Sequence, residues 1–169
     1  MTHQLEDLYK EYFPRIYSFL YRMCADPAVA EELTQETFYQ AYLSFHKFKG
    51  QSEFYTWLVG IAKHVHLKHL RKTKKAFVEA PLDLVAEVLA LDEEQPDKKL
   101  EKEFTEKTVQ RLIKKLPSKY KDVVMLRVYA EMSFAQVAQT LNISENSAKV
   151  IFCRAKKMLA EELKNEFEL

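Results

Sequence analysis

A chain of 169 residues with two glycines, five prolines, 47% hydrophobic and 30% charged residues reads as a helix-rich soluble protein of one domain or two small ones. No apolar run reaches the ~18 residues of a membrane span, and the start, MTHQLEDLYKEYF, has no basic segment ahead of an apolar core. Membrane insertion is therefore not expected, and the expected location is cytoplasmic.

The net charge of +1 hides a pattern. Residues 1–75 carry 11 Lys/Arg against 8 Asp/Glu, residues 76–103 carry 3 against 9, and residues 104–169 carry 12 against 8. Two basic modules flank an acidic connector. Cys24 and Cys153 have no CxxC spacing, so they read as buried or incidental thiols rather than a disulfide or a ligand pair.

In chain order, Leu5, Leu8, Tyr9, Tyr12, Ile16, Phe19, Leu20 and Met23 follow the i, i+3, i+4 spacing of a helix with one buried face. Pro14 is expected to kink this helix near Lys10 or Glu11, or to split it there. Asp26-Pro27, an N-cap residue followed by proline at the first helical position, restarts a helix that runs to about Phe45. Val29, Leu33, Phe38, Tyr42 and Phe45 can face a core. Glu31, Glu32, Gln35, Glu36 and Gln40 then form an acidic, amide-bearing surface, either a solvated face or a site for a basic helix. Gly50 breaks the pattern in the loop 48–52, and Ser52 can cap the helix that follows from Glu53.

That helix carries Phe54, Leu58, Ile61, Ala62 and Val65 on one side, with Thr56, Gly60, Lys63, His64, Leu67, Arg71 and Lys74 opposite. Phe45, Phe48, Phe54, Tyr55 and Trp57 crowd its start, and a basic run at 68–75 closes it. Rings beside a cationic stripe suit unpaired bases, each stacking for ~1–3 kcal/mol while Lys and Arg track phosphates; the alternative is a module core. His64, His66 and His69 lack an accompanying carboxylate and sit among lysines, so no metal site is expected. Residues 76–103, with Pro81, Pro96 and the acidic LDEEQPDKKLEKE, read as a flexible linker.

Helical periodicity returns from Phe104 with Val109, Leu112, Ile113 and Leu116, and Pro117 stops it. Val123, Val124, Leu126 and Val128 build a support helix from whose far end Arg127 projects. Within 117–159, two short apolar-periodic segments meet at Asn142, a type that readily takes the left-handed conformation of a tight turn. Ser133 and Gln136 form a capping box, and Ser144 caps the second helix. With Ala148 and Ile151 inward, Asn146, Ser147, Lys149, Val150, Cys153 and Arg154 lie on or near the opposite side, where a recognition helix meets a major groove. An ordinary helical hairpin with solvated charges is the alternative.

At this point the chain resembles the extracytoplasmic-function sigma factors of the sigma-70 family over nearly its whole length. YFPRIYSFLYRM, DPAVAEELTQETFYQAYLSF and FKGQSEFYTWLVGIAKHVHLKHLRK are similar to their region 2, and LPSKYKDVVMLRVYAEMSFAQVAQTLNISENSAKVIFCRAKKML to their region 4. The resemblance implies an all-α chain of two small domains: a region 2 helical bundle (1–75) and a region 4 helix-turn-helix (104–169), joined by the linker 76–103.

It also implies roles. Glu32, Gln35 and Glu36 would dock on core RNA polymerase. Phe48, Ser52, Phe54, Tyr55, Trp57, Lys63, His64 and Arg71 would capture the melted −10 strand, with a base flipped into a pocket. Ser144, Asn146, Ser147, Lys149, Val150, Cys153 and Arg154 would meet the duplex −35 element, and Arg127 its backbone. Val150 and Cys153 favour thymine methyls over guanine acceptors.

Promoter-specific transcription initiation with core polymerase is thus the expected function. An anti-sigma factor is an expected partner, no cofactor is expected, and the chain itself is not an enzyme. The rivals are a conventional helix-turn-helix regulator that binds duplex DNA alone as a two-fold dimer, and a helical adaptor without DNA contact.

Overall fold

The computed structural model describes residues 2–73, 108–109 and 111–167; the sequence-predicted linker 76–103 lies outside the described residues. Every regular element among the described residues is helical. Helices α1 (Thr2–Cys24), α2 (Pro27–Ser44) and α3 (Phe54–Thr73) form the first module. A helical stretch at 108–109 and 111–115, then α4 (Ser118–Val124), α5 (Phe134–Leu141) and α6 (Glu145–Phe167), form the second.

Of the kink or split expected near Lys10 or Glu11, the split does not occur: α1 runs unbroken across Pro14. Pro14 and Lys10, whose carbonyl loses its helical donor, are both exposed residues, on the side of the helix away from the core. The start of α2 is as expected: the Asp26 carboxylate accepts from the Ala28 and Val29 backbone N–H groups at 3.0 and 3.2 Å, with Pro27 next to it. Ser52 is not the cap of α3. The first bond runs from the Trp57 N–H to the Glu53 carbonyl (3.1 Å), because Gly50 at φ 69 lets the chain turn before Glu53.

The first core is made by Ile16, Phe19, Leu20 and Met23 of α1, Ala30, Leu33 and Ala41 of α2, and Leu58, Val59, Ala62 and Val65 of α3, all buried. Thr34 and Thr37 are buried with them at no polar cost, since their hydroxyls donate to the Ala30 and Leu33 carbonyls one turn back (2.6 and 2.7 Å). In the second module Val123, Val124, Leu126, Met132, Val137, Ala138, Ala148, Phe152, Ala155 and Leu159 pack together. Val123 and Val124 end α4, which continues into one π-helical turn over Met125–Tyr129.

The modules touch. Tyr55 of α3 donates to the Ala130 carbonyl (2.6 Å), Arg22 of α1 to the Tyr129 carbonyl (3.0 Å), and Lys63 pairs with Asp122 (3.2 Å). Gln136 of α5 donates to the Glu53 carboxylate (2.7 Å). No described helix is long and apolar enough to cross a membrane.

Candidate nucleic-acid interface

The turn between α5 and α6 is built by Asn142. It sits at φ 55, ψ 48, and the next residue's N–H returns to the Ala138 carbonyl at 3.0 Å. Asn tolerates this conformation where a β-branched residue would not. Ser133 opens α5 with a complete capping box: its hydroxyl accepts from the Gln136 N–H (3.1 Å) and its own N–H donates to the Gln136 side chain (2.8 Å). These two devices fix the angle at which α6 leaves the module.

Along α6, Ala148, Phe152, Ala155 and Leu159 face inward, and Ile151 packs at the edge. Asn146, Lys149, Val150, Cys153 and Arg154 are exposed and share the opposite face at i, i+3, i+4, i+7 and i+8. Lys149 leans on Glu145 at 3.4 Å, one turn back, and Cys153 is an exposed free thiol. Ser144 and Ser147 are used locally: the Ser144 hydroxyl accepts from the Ser147 N–H (3.0 Å) and donates to its hydroxyl (2.8 Å). This surface is polar and cationic with one apolar position, Val150, near its middle.

Arg127 does not project as expected. Its guanidinium donates to the Met132 carbonyl (2.7 Å) and lies over the Phe134 ring at 4.5 Å. The widened π-turn carries it inward, where it ties the end of the support helix to the start of α5.

On the first module, Phe45, Phe48, Phe54 and Trp57 form one aromatic cluster. Trp57 stands 5.0 Å from Phe48, 5.6 Å from Phe54 and 6.4 Å from Phe45, all half-buried. The rings thus serve each other first. Tyr55, expected on the strand-binding surface, is buried instead: its hydroxyl is held by Ala130 and Arg15 lies 3.7 Å over its ring. Burial pushes its hydroxyl pKa up to about 12. Lys63 is committed to Asp122, whereas His64 and Arg71 are exposed.

Between α2 and α3 runs a groove of about 1010 Å³. Glu32, Gln35 and Glu36 line one wall; Ser52, Trp57 and His64 line the other. The expected polymerase-docking residues and part of the expected −10 set therefore share one depression, which Phe48, Phe54, Tyr55, Lys63 and Arg71 do not line. Sequence reasoning missed Tyr39, Lys68 and Lys72 in this lining. Their signal was present, since Tyr39 extends the Gln35–Glu36 face by one turn and Lys68 and Lys72 continue His64 at i+4 and i+8. Gly60 lies in the groove wall, and a Cβ placed there would meet nothing within 4 Å.

The three histidines of α3 do not converge. His64 and His69 line the groove, whereas His66 is buried, and burial with His69 nearby depresses its pKa to about 4.

Comparison with known proteins identifies the two modules. Residues 8–76 match the model of sigma-70 region 2, and residues 106–159 that of sigma-70 region 4. The extracytoplasmic-function RNA polymerase sigma factor SigW of Bacillus subtilis (strain 168) is 30% identical over 166 residues, covering 94% of this chain and 87% of that protein. The chain belongs to the extracytoplasmic-function sigma factors. SigM of the same organism is 28% identical over 92% of each protein.

The same fold occurs in the sigma factor RpoE solved with the anti-sigma factor NepR from Bartonella quintana (TM-score 0.62, 17% identity, 95% of this chain and 97% of that one). It also occurs in CnrH solved with the cytosolic domain of CnrY (TM-score 0.63, 15% identity, 98% and 90%). In this sigma factor, region 2 is the three-helix module that carries the groove, and region 4 is the module that presents α6.

Proposed function

We propose that this sigma factor binds core RNA polymerase through the acidic α2 wall, recognises the −35 duplex with α6, and helps melt the −10 element with the aromatic end of α3. The observation that carries the reading is the exposed stripe Asn146, Lys149, Val150, Cys153 and Arg154, with no hydrophobic partner and a fixed approach angle. Lys149 and Arg154 would neutralise phosphates or bond guanine, Asn146 would bond a base edge near the helix start, and Val150 would rest on a thymine methyl.

Glu32, Gln35 and Glu36 present carboxylates and an amide to solvent, complementary to a basic helix of the polymerase. On the α3 side, Trp57 and His64 are open to a base leaving the stack, and Arg71 and Lys72 to its phosphates. Tyr55 and Lys63 would join them once region 4 moves away.

The factor would act in the cytoplasm alongside the polymerase, which supplies the chemistry of RNA synthesis. An anti-sigma factor is the inhibitory partner this family membership suggests. The test is run-off transcription on genomic fragments with purified core polymerase, with and without the chain. New promoter-specific transcripts that depend on the chain are expected. Binding to duplex DNA as a two-fold dimer without polymerase would replace this reading with that of a conventional regulator.

A further inference from the structure

Arg127 stands at one end of a series of ring contacts that crosses region 4 from the support helix to α6. Its guanidinium carbon lies 4.5 Å over the Phe134 ring. Phe134, the first residue of α5, meets Phe152 of α6 edge to face, with centroids 5.6 Å apart and planes at 64°. On the Phe152 ring rests the Lys156 ammonium, at 4.9 Å. The order is cation, ring, ring, cation, and Phe152 within it is buried.

The arginine is held there at a cost. Its Nε is buried without a hydrogen-bond partner, and among the described residues no carboxylate pairs with it. A cation taken from water needs compensation, which here comes from the Phe134 face and the Met132 carbonyl, one residue before the Ser133 cap. What this secures is the rotation of α6. The Asn142 turn and the Ser133 cap set the angle at which α6 leaves the hairpin, but over its first three turns the buried residues are Ala148, Phe152 and Ala155, two methyl groups and one ring. The ring therefore decides how the helix is turned about its own axis. A turn of ~20° carries a side-chain tip ~6 Å from the axis through ~2 Å, enough to break a hydrogen bond to a base edge.

We propose that Arg127 is a positioning residue for −35 recognition: stacked on Phe134 and bonded to Met132, it fixes the seat of Phe152 and so the rotation at which α6 presents Asn146, Lys149 and Val150. It acts from inside region 4 and holds no phosphate in this position. Arginine suits the task because its planar guanidinium lies flat on a ring while one N–H still donates, which a lysine ammonium cannot do at both places. The consequence for promoter choice rests on the reading of α6 as the −35 helix, whereas the effect on α6 itself does not.

The first test needs no polymerase. Cys153 is exposed and Cys24 is buried, so a nitroxide on Cys153 and a second on Lys119→Cys of α4 report the distance between the two helices in the full chain by pulsed electron paramagnetic resonance. A narrow distribution is expected with Arg127 in place, and a broader or shifted one in Arg127→Met, Arg127→Lys and Phe134→Leu. The second test assembles holoenzyme from core polymerase and each full-length variant and compares affinity for promoter and non-promoter duplex. The ratio is expected to fall about fivefold in each single variant. Arg127→Met combined with Phe134→Leu is expected to be no worse than either alone, because both break one series of contacts.

The salt dependence separates positioning from direct contact, and its slope is expected to match wild type in all three single variants. A slope shallower by ~1 in Arg127→Met, kept in Arg127→Lys and in Phe134→Leu, would make Arg127 a phosphate contact and overturn the proposal. Unchanged distance distributions in Arg127→Met and Phe134→Leu would overturn it as well. Should Arg127→Met fail to unfold cooperatively, Phe134→Leu carries both measurements. A wild-type holoenzyme without promoter preference would instead remove the sigma-factor reading, while the label distances still decide whether Arg127 sets α6.

Discussion

The exposed stripe of α6 and the aromatic end of α3 sit on helices of similar length, yet they differ in how much of each is already committed. On α6 the proposed reading residues are free of hydrophobic packing, and only Lys149 has an ionic partner, the exposed Glu145. On α3 the rings pack on one another, Tyr55 is bonded to Ala130 and Lys63 to Asp122. A helix that reads an intact groove needs only a rigid face. A surface that takes a base from its stack must hold apolar rings, and apolar rings seek cover until the base arrives. The difference teaches that, under the proposed function, the face of α6 is available as it stands, whereas the α3 surface has Tyr55 and Lys63 engaged with Ala130 and Asp122.

The strongest way to separate the two modules is acid, because all five histidines lie in region 2. His66 is buried and its pKa is depressed to about 4, against an unfolded value of 6.5. The unfolded chain therefore takes the proton first. Stability is full above about pH 6.5, falls as pH drops towards 4, and levels off below it, a loss of ~3 kcal/mol across that window. Urea titrations followed by Trp57, the chain's single tryptophan, at pH 7.5 and 4.5 measure this. His66→Leu should flatten the dependence; an undiminished slope in that variant would assign it to other groups.

Next in size is Trp57→Ala, which removes a half-buried ring from the cluster with Phe45, Phe48 and Phe54. A loss of about 2–3 kcal/mol is expected by thermal unfolding, below the full-burial range. Slower strand opening in a permanganate assay should accompany it. A stability loss with normal melting would make the cluster purely structural and sharpen the contrast with α6.

Asn142→Val tests the rigid side of the comparison. A β-branched residue at φ 55 costs ~1–2 kcal/mol, whereas Asn142→Gly should be nearly neutral. If both variants melt alike, the turn does not set the approach angle of α6. The smallest change in stability belongs to Lys149→Ala, about 0.3–0.5 kcal/mol for an exposed i, i+4 pair. Its effect should appear in promoter binding, with the salt slope reduced by ~1 if it neutralises one phosphate.

Region 4 was legible in the sequence almost residue by residue. Ser133-Gln136, Asn142 and the Ala148–Ile151 spacing are local signals, and local rules govern a short hairpin of helices. Asp26-Pro27 was legible for the same reason. Arg127 was not, because a π-turn shifts a side chain by a fraction of a turn and leaves no mark in the spacing of apolar residues. Tyr55, Lys63 and Arg22 were illegible as joint residues, since their partners lie 59 to 107 positions away and are chiefly backbone carbonyls, which carry no sequence signature. Of the kink or split expected at Pro14, the split does not occur, because the flanking apolar stripe of α1 packs on both sides of it.

Gly60 stands in the middle of α3, where glycine weakens a helix by roughly 1 kcal/mol relative to alanine and no neighbour forbids a side chain. Replacing it by alanine should raise the melting temperature, yet anything bulkier would fill the hollow beside Trp57 and His64. Firmness of the helix and room for a visitor are set against each other at one atom, the missing Cβ. A stabilised form of this factor that works poorly is the outcome to expect from substitution there.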